Sequence, residues 1–532
     1  MLASPHSPPV IGDDAPPDED DMRLQELLLA AGLPATVDSS LSVGAIRHDS
    51  RQVRPGDLFV AVTGAVDGAD FAAAARDAGA VAVVAASDDR QLGIPWIRVD
   101  DDRRALAELA AARLGWPSRK LAVVGVTGTN GKTTTAQVLA HVLREAGRCT
   151  GVVGTVGCRF ADQSRPSART TPEAPELQGL LEEMVEAGCH GAVIEVSSHG
   201  LELQRAVGTR FAAVAFTNLS QDHLDWHGDM ESYYQAKRRL FSELAPDAPV
   251  VTCVDDESGR RLAAELAAPG RELLRVGYND EADLTVASFE PTEDGGRLRL
   301  AGEAATGFPE EFPVTVRCRH DVQNLMVAAG LARLLGLDGA TIARTLATFE
   351  GVRGRMERVH GAGRDSLQVY VDYAHTPGAL RSSLQGARSL TDGKLHCVFG
   401  CGGDRDTEKR EPMGRTVARL ADRCIATSDN PRSEDPLVIL GSVEEGLRNG
   451  GATDVVVEPD RRKAIELALR GAAPGDLVLV AGKGHETQQD LGHGRVIEFD
   501  DAAVVSELWA ELFSGDEPSG DDGPSREEID RS

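Results

Sequence analysis

The segment LAVVGVTGTNGKTTTAQVLAHVLREAG, residues 121–147, decides the fold class of this 532-residue chain. It begins as a continuous apolar run, turns at a group of glycines and continues with the apolar spacing of a helix that ends at Gly147. Buried parallel strands joined by helical crossovers have this pattern. The segment therefore predicts an α/β domain in which a strand leads through a glycine turn into a helix.

The glycine turn has the composition of a phosphate-binding loop. Backbone N–H groups at a turn that opens a helix can surround an anion. In such a loop Lys132 reaches the β- and γ-phosphates, and Thr133 places a hydroxyl on Mg²⁺. The spacing departs from GxxxxGK[ST] because Val126 occupies the first glycine position and Gly125 precedes it. A turn without a ligand is the alternative, but the flanking strand and helix favour binding of ATP or GTP.

Composition limits the class of protein and its partners. Hydrophobic residues make up 41% and charged residues 26%, an ordinary globular balance. At roughly 150 residues per domain the length corresponds to about three domains. The 56 basic and 84 acidic side chains give a net charge of −28, which argues against binding to nucleic acid or anionic membranes. Both ends are acidic and rich in Pro, Gly and Ser, so residues 1–22 and 515–532 are predicted to be disordered tails whose protein partners are unknown.

The sequence also predicts a cytoplasmic protein. The first residues lack a basic region followed by an apolar stretch, so a signal peptide is not expected. No run of 18 apolar residues occurs, so no membrane span is expected. The eight cysteines contain no C-x-x-C pair, and His396, Cys397 and Cys401 have no second cluster to complete a zinc site. We expect reduced and mostly buried thiols.

Apolar runs that end in polar or glycine-rich loops recur on both sides of the phosphate loop. Three short runs precede it: DLFVAV (57–62), AVAVVAA (80–86) and PWIRVD (95–100). Seven follow it: GAVIEVSS (191–198), AAVAFTNLS (212–220), APVVTCVD (248–255), LQVYVDYAH (367–375), KLHCVFGCGG (394–403), DRCIATSDN (422–430) and DLVLVAGKG (476–484). Ligands of doubly wound sheets bind at such carboxyl-end loops.

The sequence GTNGKTTT (128–135) resembles the ATP loop of the Mur ligases and of the folylpolyglutamate synthetases. Further motifs resemble the Mur ligase family over about residues 46–501, and within it the members that add diaminopimelate. These motifs are TTPE (170–173), EVSSHGL (195–201), TNLSQDHLDWHG (217–228), GRMERV (354–359), VDYAHTP (371–377), GCGGDRD (400–406), SDNPRSEDP (428–436) and AGKGHE (481–486).

The resemblance implies an α/β protein of three domains between the two acidic tails. These are a small N-terminal α/β domain for the UDP end of the substrate, a central P-loop ATPase-like parallel-sheet domain, and a C-terminal Rossmann-like domain for the incoming amino acid. The expected bounds are residues 23–118, 119–357 and 358–514.

The implied activity is an ATP-dependent ligase of peptidoglycan precursor synthesis. ATP, with Mg²⁺, converts the D-Glu carboxylate of UDP-N-acetylmuramoyl-L-alanyl-D-glutamate into an acyl phosphate, and the amine of meso-diaminopimelate then displaces phosphate. Such chemistry rests on positioning and on neutralising phosphate charge rather than on a nucleophilic triad.

The resemblance assigns residues to the ATP and metal sites. The expected ATP contacts are Gly128, Thr129, Asn130, Gly131, Lys132, Thr133, Thr134, Asn324, Arg355 and Asp372. The expected metal ligands are Thr133, Glu195, His223 and Lys237, the last as a carbamate (N6-carboxylysine). The expected catalytic group is Lys132, Glu195, His223, Lys237 and His375. From the residues alone, Lys237 reads as a solvated lysine and His223 as a loop histidine.

Two further sets of residues are implied for the other substrates. The expected contacts of the UDP-sugar peptide are His48, Ser50, Ala65, Val66, Asp67, Thr170, Thr171, Ser197 and Arg205. The expected contacts of diaminopimelate are Arg405, Asp429, Asn430, Pro431, Arg432, Gly482 and Glu486. A guanidinium such as Arg432 binds a carboxylate through two parallel hydrogen bonds, which favours diaminopimelate over L-lysine. A polar turn without a ligand is the alternative for this loop.

Two other functions fit parts of the sequence. A folylpolyglutamate synthetase shares the ATP loop but does not account for the N-terminal unit or the DNPR loop. A non-enzymatic regulator built on a degenerate ligase is disfavoured, because Lys132, Thr133, Glu195, His223 and Lys237 are all present.

Overall fold

The computed structural model describes residues 22–513 except 36–39, 65, 293, 362–364 and 493. The two predicted tails lie outside the described residues, apart from Met22. That residue pairs with Val43 in a two-stranded sheet.

The N-terminal domain is built on a four-stranded parallel sheet in the order β3-β4-β5-β6. Its helices pack Leu and Ala side chains on the sheet. The elements are β1 (Met22–Arg23), α1 (Leu24–Ala30), β2 (Ser42–Val43), β3 (Ile46–Arg47), β4 (Leu58–Ala61), α2 (Ala72–Asp77), β5 (Ala82–Ala85), β6 (Trp96–Arg98) and α3 (Asp102–Arg113).

The central domain contains an eleven-stranded sheet in the order β10-β9-β8-β11-β7-β12-β13-β14-β15-β16-β17. Neighbours from β8 to β15 are parallel, and the strands at both edges are antiparallel. The elements are β7 (Ala122–Thr127), α4 (Lys132–Glu145), β8 (Thr150–Gly154), β9 (Gly157–Phe160), β10 (Gln163–Arg165), α5 (Ala174–Glu186), β11 (Gly191–Glu195), α6 (Ser198–Glu202), β12 (Phe211–Phe216), α7 (Leu224–His227), α8 (Met230–Arg239), β13 (Val250–Cys253), α9 (Glu257–Leu266), β14 (Leu273–Gly277), β15 (Leu284–Thr292), β16 (Gly295–Ala301), β17 (Phe312–Val314), α10 (Arg319–Leu334) and α11 (Gly339–Leu346).

Strand β7 shows why this sheet is buried on both faces. Val124 and Val126 point into a core that includes Leu139 of α4 and Leu325 of α10, whereas Val123 points into the opposite core. Successive strand residues point to opposite faces, so an unbroken apolar run supplies both cores. The carboxyl ends of β7, β11 and β12 consequently meet at one edge of the sheet.

The C-terminal domain has a six-stranded sheet in the order β18-β19-β23-β20-β21-β22, parallel except for β18. Glu357 of β18 pairs with Val371, so this sheet begins one residue before the expected bound. The elements are β18 (Glu357–His360), β19 (Gln368–Asp372), α12 (Pro377–Leu390), β20 (Leu395–Phe399), α13 (Arg410–Leu420), β21 (Arg423–Ala426), α14 (Pro436–Gly450), β22 (Val455–Val457), α15 (Arg461–Gly471), β23 (Leu477–Ala481), β24 (Gln488–Asp490), β25 (Val496–Glu498) and α16 (Asp501–Phe513).

Two other expectations are tested by the fold. All eight cysteines are free, and seven of them are buried, as the sequence predicts. Among the residues that the structure describes, none of the helices has the length and apolar character needed to cross a bilayer.

Candidate active site

The phosphate loop depends on two glycines with left-handed backbone. Gly128 has a φ of +145°, and a Cβ there would lie 1.9 Å from Thr217 Oγ1. Gly131 has a φ of +83°, and a Cβ there would lie 2.2 Å from Asn324 Oδ1. Only glycine fits both the conformation and the space. The loop is therefore fixed against β12 and α10 before any ligand binds.

Lys132 is the first residue of α4, and its side chain folds back over the loop. Its Nζ donates to the carbonyl oxygens of Gly128 at 2.9 Å and Thr129 at 2.8 Å. Burial lowers the pKa of Lys132, and Glu195 opposes that shift. The lysine thus lies at the loop, where a phosphate can replace the two carbonyl acceptors.

Glu195 ends β11 with no exposed surface and lies at the centre of the polar contacts. Its Oε2 accepts from Thr133 Oγ1 at 2.8 Å and from Thr155 Oγ1 at 3.0 Å, and its Oε1 accepts from Thr155 N at 2.9 Å. Arg355 Nη2 donates to Thr133 Oγ1 at 3.2 Å. The structure thus joins three predicted residues, Thr133, Glu195 and Arg355, and adds Thr155, which no motif indicated.

Lys237 is buried, in contrast to the solvated lysine that its neighbours in sequence suggest. Its side chain is on the inner face of α8, and the residue is 1% exposed. Nζ donates to Gly128 O at 2.8 Å and lies 4.4 Å from the ring centroid of Tyr233. Burial holds the pKa of Lys237 well below its usual range, and Lys132 lowers it further. A buried amine of this kind is readily held in its neutral form.

His223 follows β12 and has left-handed backbone, with a φ of +54°. Its Nε2 lies 3.4 Å from Asp222 Oδ2, and its ring packs against that of His199 at 4.8 Å between centroids. Burial lowers the pKa of His223 to about 3, although Asp222 opposes the shift. A neutral imidazole can serve as a metal ligand or as a hydrogen-bond partner.

A cavity of about 330 Å³ lies between the phosphate loop and the C-terminal domain. Asp372 anchors its C-terminal side: Oδ2 accepts from Met356 N at 2.7 Å and Oδ1 accepts from Ser383 Oγ at 2.9 Å. The predicted ATP contacts that line the cavity are Asn130, Gly131, Thr134, Asn324, Arg355 and Asp372.

A second cavity, of about 680 Å³, has walls from both the central and the C-terminal domain. His375 lies on its wall, and its Nδ1 is 2.8 Å from the carbonyl oxygen of Tyr373. Burial lowers the pKa of His375, as does the nearby Lys409. The predicted residues that line the cavity are Thr170, Ser197, Arg205, His223, His375, Arg405, Asp429, Asn430, Arg432, Gly482 and Glu486.

The predicted contacts of the muramoyl-peptide are linked to Glu195. Thr171 Oγ1 donates to the carbonyl oxygen of Glu195 at 2.8 Å, and Ser197 N donates to Thr171 Oγ1 at 3.0 Å. Arg205 pairs with Glu173 at 2.8 Å and donates to Thr171 O at 3.2 Å. These contacts join the substrate side of the cavity to the phosphate side.

The predicted uracil and diphosphate contacts lie on the N-terminal domain. Burial lowers the pKa of His48. The nearby carboxylate of Glu173 opposes that shift, and the charge of Arg169 adds to it. Ser50, Val66 and Asp67 do not line the second cavity as it stands in the structure. Ala65 is outside the described residues. The roles of these residues stay predictions.

The loop that carries Arg432 is held in a strained conformation. Arg432 has a φ of +52°, and its guanidinium donates to Gly403 O. A Cβ at Gly492 would lie 1.8 Å from Arg432 O, so the β24–β25 hairpin presses against this loop. Pro431 precedes the strained residue, and its carbonyl accepts from Glu434 N at 3.1 Å. Non-glycine residues with left-handed backbone are found most often at functional sites.

Several cavity residues were not singled out from the sequence. Asp222, Trp226 and His485 lie inside quoted motifs but carry no signal of their own there. Thr155 belongs to none of the motifs, and only the folded structure places it beside Glu195. Tyr233, one helical turn before Lys237 on α8, belongs to none of them either. Lys409 lines the second cavity next to Asp406, three residues after the GCGGDRD motif ends.

Comparison with known proteins identifies the family. The Mur ligase family catalytic domain matches residues 42–114, the Mur ligase middle domain matches residues 126–332, and the Mur ligase glutamate ligase domain matches residues 354–484. The chain belongs to the Mur ligase family. Two relatives are named UDP-N-acetylmuramoyl-L-alanyl-D-glutamate–2,6-diaminopimelate ligase. The one from Gloeobacter violaceus is 45% identical over 93% of this chain and 99% of its own length, and the one from Streptomyces coelicolor is 44% identical over 91% and 96%.

Solved structures agree with this Mur ligase assignment. A UDP-N-acetylmuramoyl-L-alanyl-D-glutamate–2,6-diaminopimelate ligase superposes with a TM-score of 0.65 at 30% identity, covering 92% of this chain and 99% of that one. The Mycobacterium tuberculosis folylpolyglutamate synthase shares the fold, with a TM-score of 0.57 at 18% identity, but only 71% of this chain is covered. The three-domain α/β architecture is therefore that of a Mur ligase.

Proposed function

We propose that this chain ligates meso-diaminopimelate to the D-Glu carboxylate of UDP-N-acetylmuramoyl-L-alanyl-D-glutamate at the expense of ATP. The observation that carries the proposal is the second cavity, because predicted contacts of the UDP-dipeptide and of diaminopimelate line the same space. One wall holds Ser197 and Arg205 beside the Glu195 cluster, and the other holds Arg432 and Glu486. The near-full-length relatives at 40–45% identity carry the same activity in their names.

The residues support a two-step reaction. In the first step the substrate carboxylate attacks the γ-phosphorus of ATP, and ADP leaves with the bridging oxygen. Lys132 and the loop N–H groups bind the phosphates, and Arg355 adds positive charge from the C-terminal side. In the second step the free amine attacks the acyl carbon, the acyl–oxygen bond breaks and phosphate leaves. A proton lost from the amine passes to a base or to water in the cavity.

The cluster around Glu195 fits Mg²⁺. Carboxylate and hydroxyl oxygens of Glu195 and Thr133 converge there, with His223 on the adjoining wall of the cavity. Magnesium prefers such oxygen ligands, and when bound it neutralises charge on the transferred phosphate. Lys237 offers a further ligand if its neutral amine takes up CO₂ as a carbamate. Eight free thiols and the use of ATP fit a cytoplasmic enzyme of peptidoglycan precursor synthesis.

Phosphate release from ATP tests the proposed function. The full chain is incubated with UDP-muramoyl-dipeptide, ATP and Mg²⁺, together with meso-diaminopimelate, L-lysine or no amino acid. Release that requires both the dipeptide and diaminopimelate is expected. A parallel incubation with folate and glutamate is expected to release no phosphate, and release only there would contradict the proposed substrates.

The proposed carbamate makes a separate prediction at Lys237. A guanidinium cannot form this carbamate, so Lys237→Arg should abolish ligation while keeping a positive charge. Arg238→Lys is the matched control, because Arg238 is a neighbouring side chain, 38% exposed, that pairs with Glu265. Plain lysine density in a crystal grown with CO₂ and Mg²⁺ would contradict the carbamate.

A further inference from the structure

Lys483 is a fully buried cation directly behind the predicted amino-acid site. It follows β23 within the AGKGHE motif and has no exposed surface. Its Nζ lies 2.9 Å from Glu486 Oε2, 3.3 Å from Asn430 Oδ1 and 3.9 Å from Asp429 Oδ1. These three acceptors line the second cavity, and Lys483 does not. The lysine therefore acts on the cavity through its neighbours.

The same contacts fix the orientation of the Asn430 amide. Asn430 Oδ1 accepts from Lys483 Nζ and, at 3.0 Å, from Asp490 N. With its oxygen held by two donors, the amide must direct Nδ2 the other way, where it donates to Glu486 Oε2 at 2.9 Å. One oxygen of Glu486 thus receives two hydrogen bonds from the protein, which leaves Oε1 for a ligand in the cavity.

We propose that Lys483 is a positioning residue for the amino-acid substrate, which holds Glu486 ionised and oriented to receive the distal ammonium group of diaminopimelate. The proposal rests on the proposed function, because it takes diaminopimelate as the occupant of this part of the cavity. A carboxylate that binds an ammonium group must carry its charge and keep one oxygen free. Lys483 provides the first condition directly and the second through Asn430.

The electrostatics of the pocket show why a buried cation is needed. Burial would raise the pKa of Glu486, but the charge and hydrogen bond of Lys483, with help from Asn430, hold that pKa below its usual value. Other charged or titratable groups also face this carboxylate from the packed elements. They are Tyr373 and His375 after β19, Arg461 on α15, and His485 beside Glu486 in the same loop. Asp429, after β21, lies 3.9 Å from Lys483 Nζ.

The test compares Lys483→Met with Lys463→Met in the full chain. Lys463 is the matched control, because it is in the same domain with 66% of its side chain exposed. For Lys483→Met we expect the KM for diaminopimelate to rise roughly 30-fold or more, as for one partner removed from a buried charged pair. The KM values for ATP and the UDP-dipeptide should be unchanged.

The pH profile separates positioning from a merely structural role. Without Lys483 the pKa of Glu486 rises, so the acid limb of kcat/KM for diaminopimelate should move up by about one pH unit or more. Lys463→Met should leave the limb in place. Lys483→Arg, which keeps the charge, should restore most of the wild-type profile, and Glu486→Gln should abolish the difference that Lys483→Met makes.

The outcomes distinguish this inference from the proposed function. A wild-type chain that does not turn over diaminopimelate would overturn both. A wild-type chain that does, together with a Lys483→Met variant whose KM and acid limb are unchanged, would overturn the role of Lys483 alone. A lower KM in that variant would also overturn it, because Lys483 would then compete with the substrate for Glu486. If Lys483→Met does not fold by circular dichroism, Lys483→Gln removes the charge and keeps a hydrogen-bond donor.

Discussion

Four residues with left-handed backbone lie in the linings of the two cavities or next to residues that line them. His223, Met356, Asp404 and Arg432 have φ values of +54°, +43°, +52° and +52°, although none of them is glycine. Such conformations cost of order 1–3 kcal/mol each and persist only where the surrounding structure imposes them. Here the contacts of the neighbouring loops supply that constraint, so the side chains are held in place before substrates arrive.

Lys132 makes the strongest prediction at the residue scale. Lys132→Ala keeps the loop amides but removes the charge that meets the β- and γ-phosphates, so ligation should fall by roughly 10²–10³-fold or more. Phosphate release measures the effect. Lys120→Ala is the control, because Lys120 is an exposed lysine just before β7 at the opposite end of the strand. Near-normal turnover by folded Lys132→Ala would refute the assignment of the ATP loop.

The sequence predicts those site residues that lie in local motifs. The loop glycines, Lys132 and Thr133 can be recognised from the sequence, because they lie together in one turn between an apolar strand and a helix. Thr155 could not be recognised, because its contact with Glu195 joins segments 40 residues apart in the chain. Tyr233 lies one helical turn before Lys237 on α8, but the helix spacing alone does not show that both side chains are buried. Lys237 shows the same limit, since its burial comes from the packing of α8 and not from its charged neighbours.

The loop after β21 makes a prediction at the scale of an element. Arg432→Ala should raise the KM for diaminopimelate steeply, because loss of a charge-assisted pair with a carboxylate typically costs roughly 2–5 kcal/mol. Arg462→Ala, at a half-exposed arginine of the same domain, is the control. Steady-state kinetics with both amino acids give the measurement. Equal use of L-lysine and diaminopimelate by the wild-type chain would contradict this assignment of the loop.

A buried ion pair joins α15 and α16 and also supports the AGKGHE loop. Arg461 and Asp501 have no exposed surface and pair at 2.6 Å, and Arg461 also donates to Ala481 O at 3.0 Å. Arg461→Met would leave a buried carboxylate without its partner, which typically costs about 3–5 kcal/mol. Calorimetry should show a lower Tm for the C-terminal domain. Arg462→Met should leave the Tm near the wild-type value, and an unchanged Tm in both would contradict the prediction.

The apolar runs singled out in the sequence correspond to parallel strands, but they include neither the parallel strands β3, β8, β14 and β22 nor the antiparallel edge strands. The buried strands are continuous apolar runs that end in polar loops, a pattern that is visible in the sequence. By contrast, β10 reads Gln-Ser-Arg with all three residues exposed, and much of β15 lies at the surface. Strands of this kind owe their conformation to pairing with a neighbour, so local composition does not indicate them.

At the scale of the whole molecule, ligands should draw the central and C-terminal domains together. Arg355 contacts Thr133, and Thr155 of the central domain lines the second cavity together with His485 of the C-terminal domain, so residues of both domains meet around one cavity. Reaction requires the activated carboxylate and the amine at near-attack distance. Small-angle scattering with an ATP analogue and the UDP-dipeptide should show a smaller radius of gyration than the free chain. An unchanged radius with both ligands bound would count against closure.

The close approach of Gly492 to Arg432 has a consequence for protein engineering. Because the hairpin leaves no room for a side chain at Gly492, the two segments form one interlocking unit although some sixty residues separate them in the chain. Grafting only the arginine-bearing loop from one enzyme into another would set it against a foreign hairpin. On the proposed role of this loop, an exchange of amino-acid preference between relatives therefore calls for transplanting both segments together.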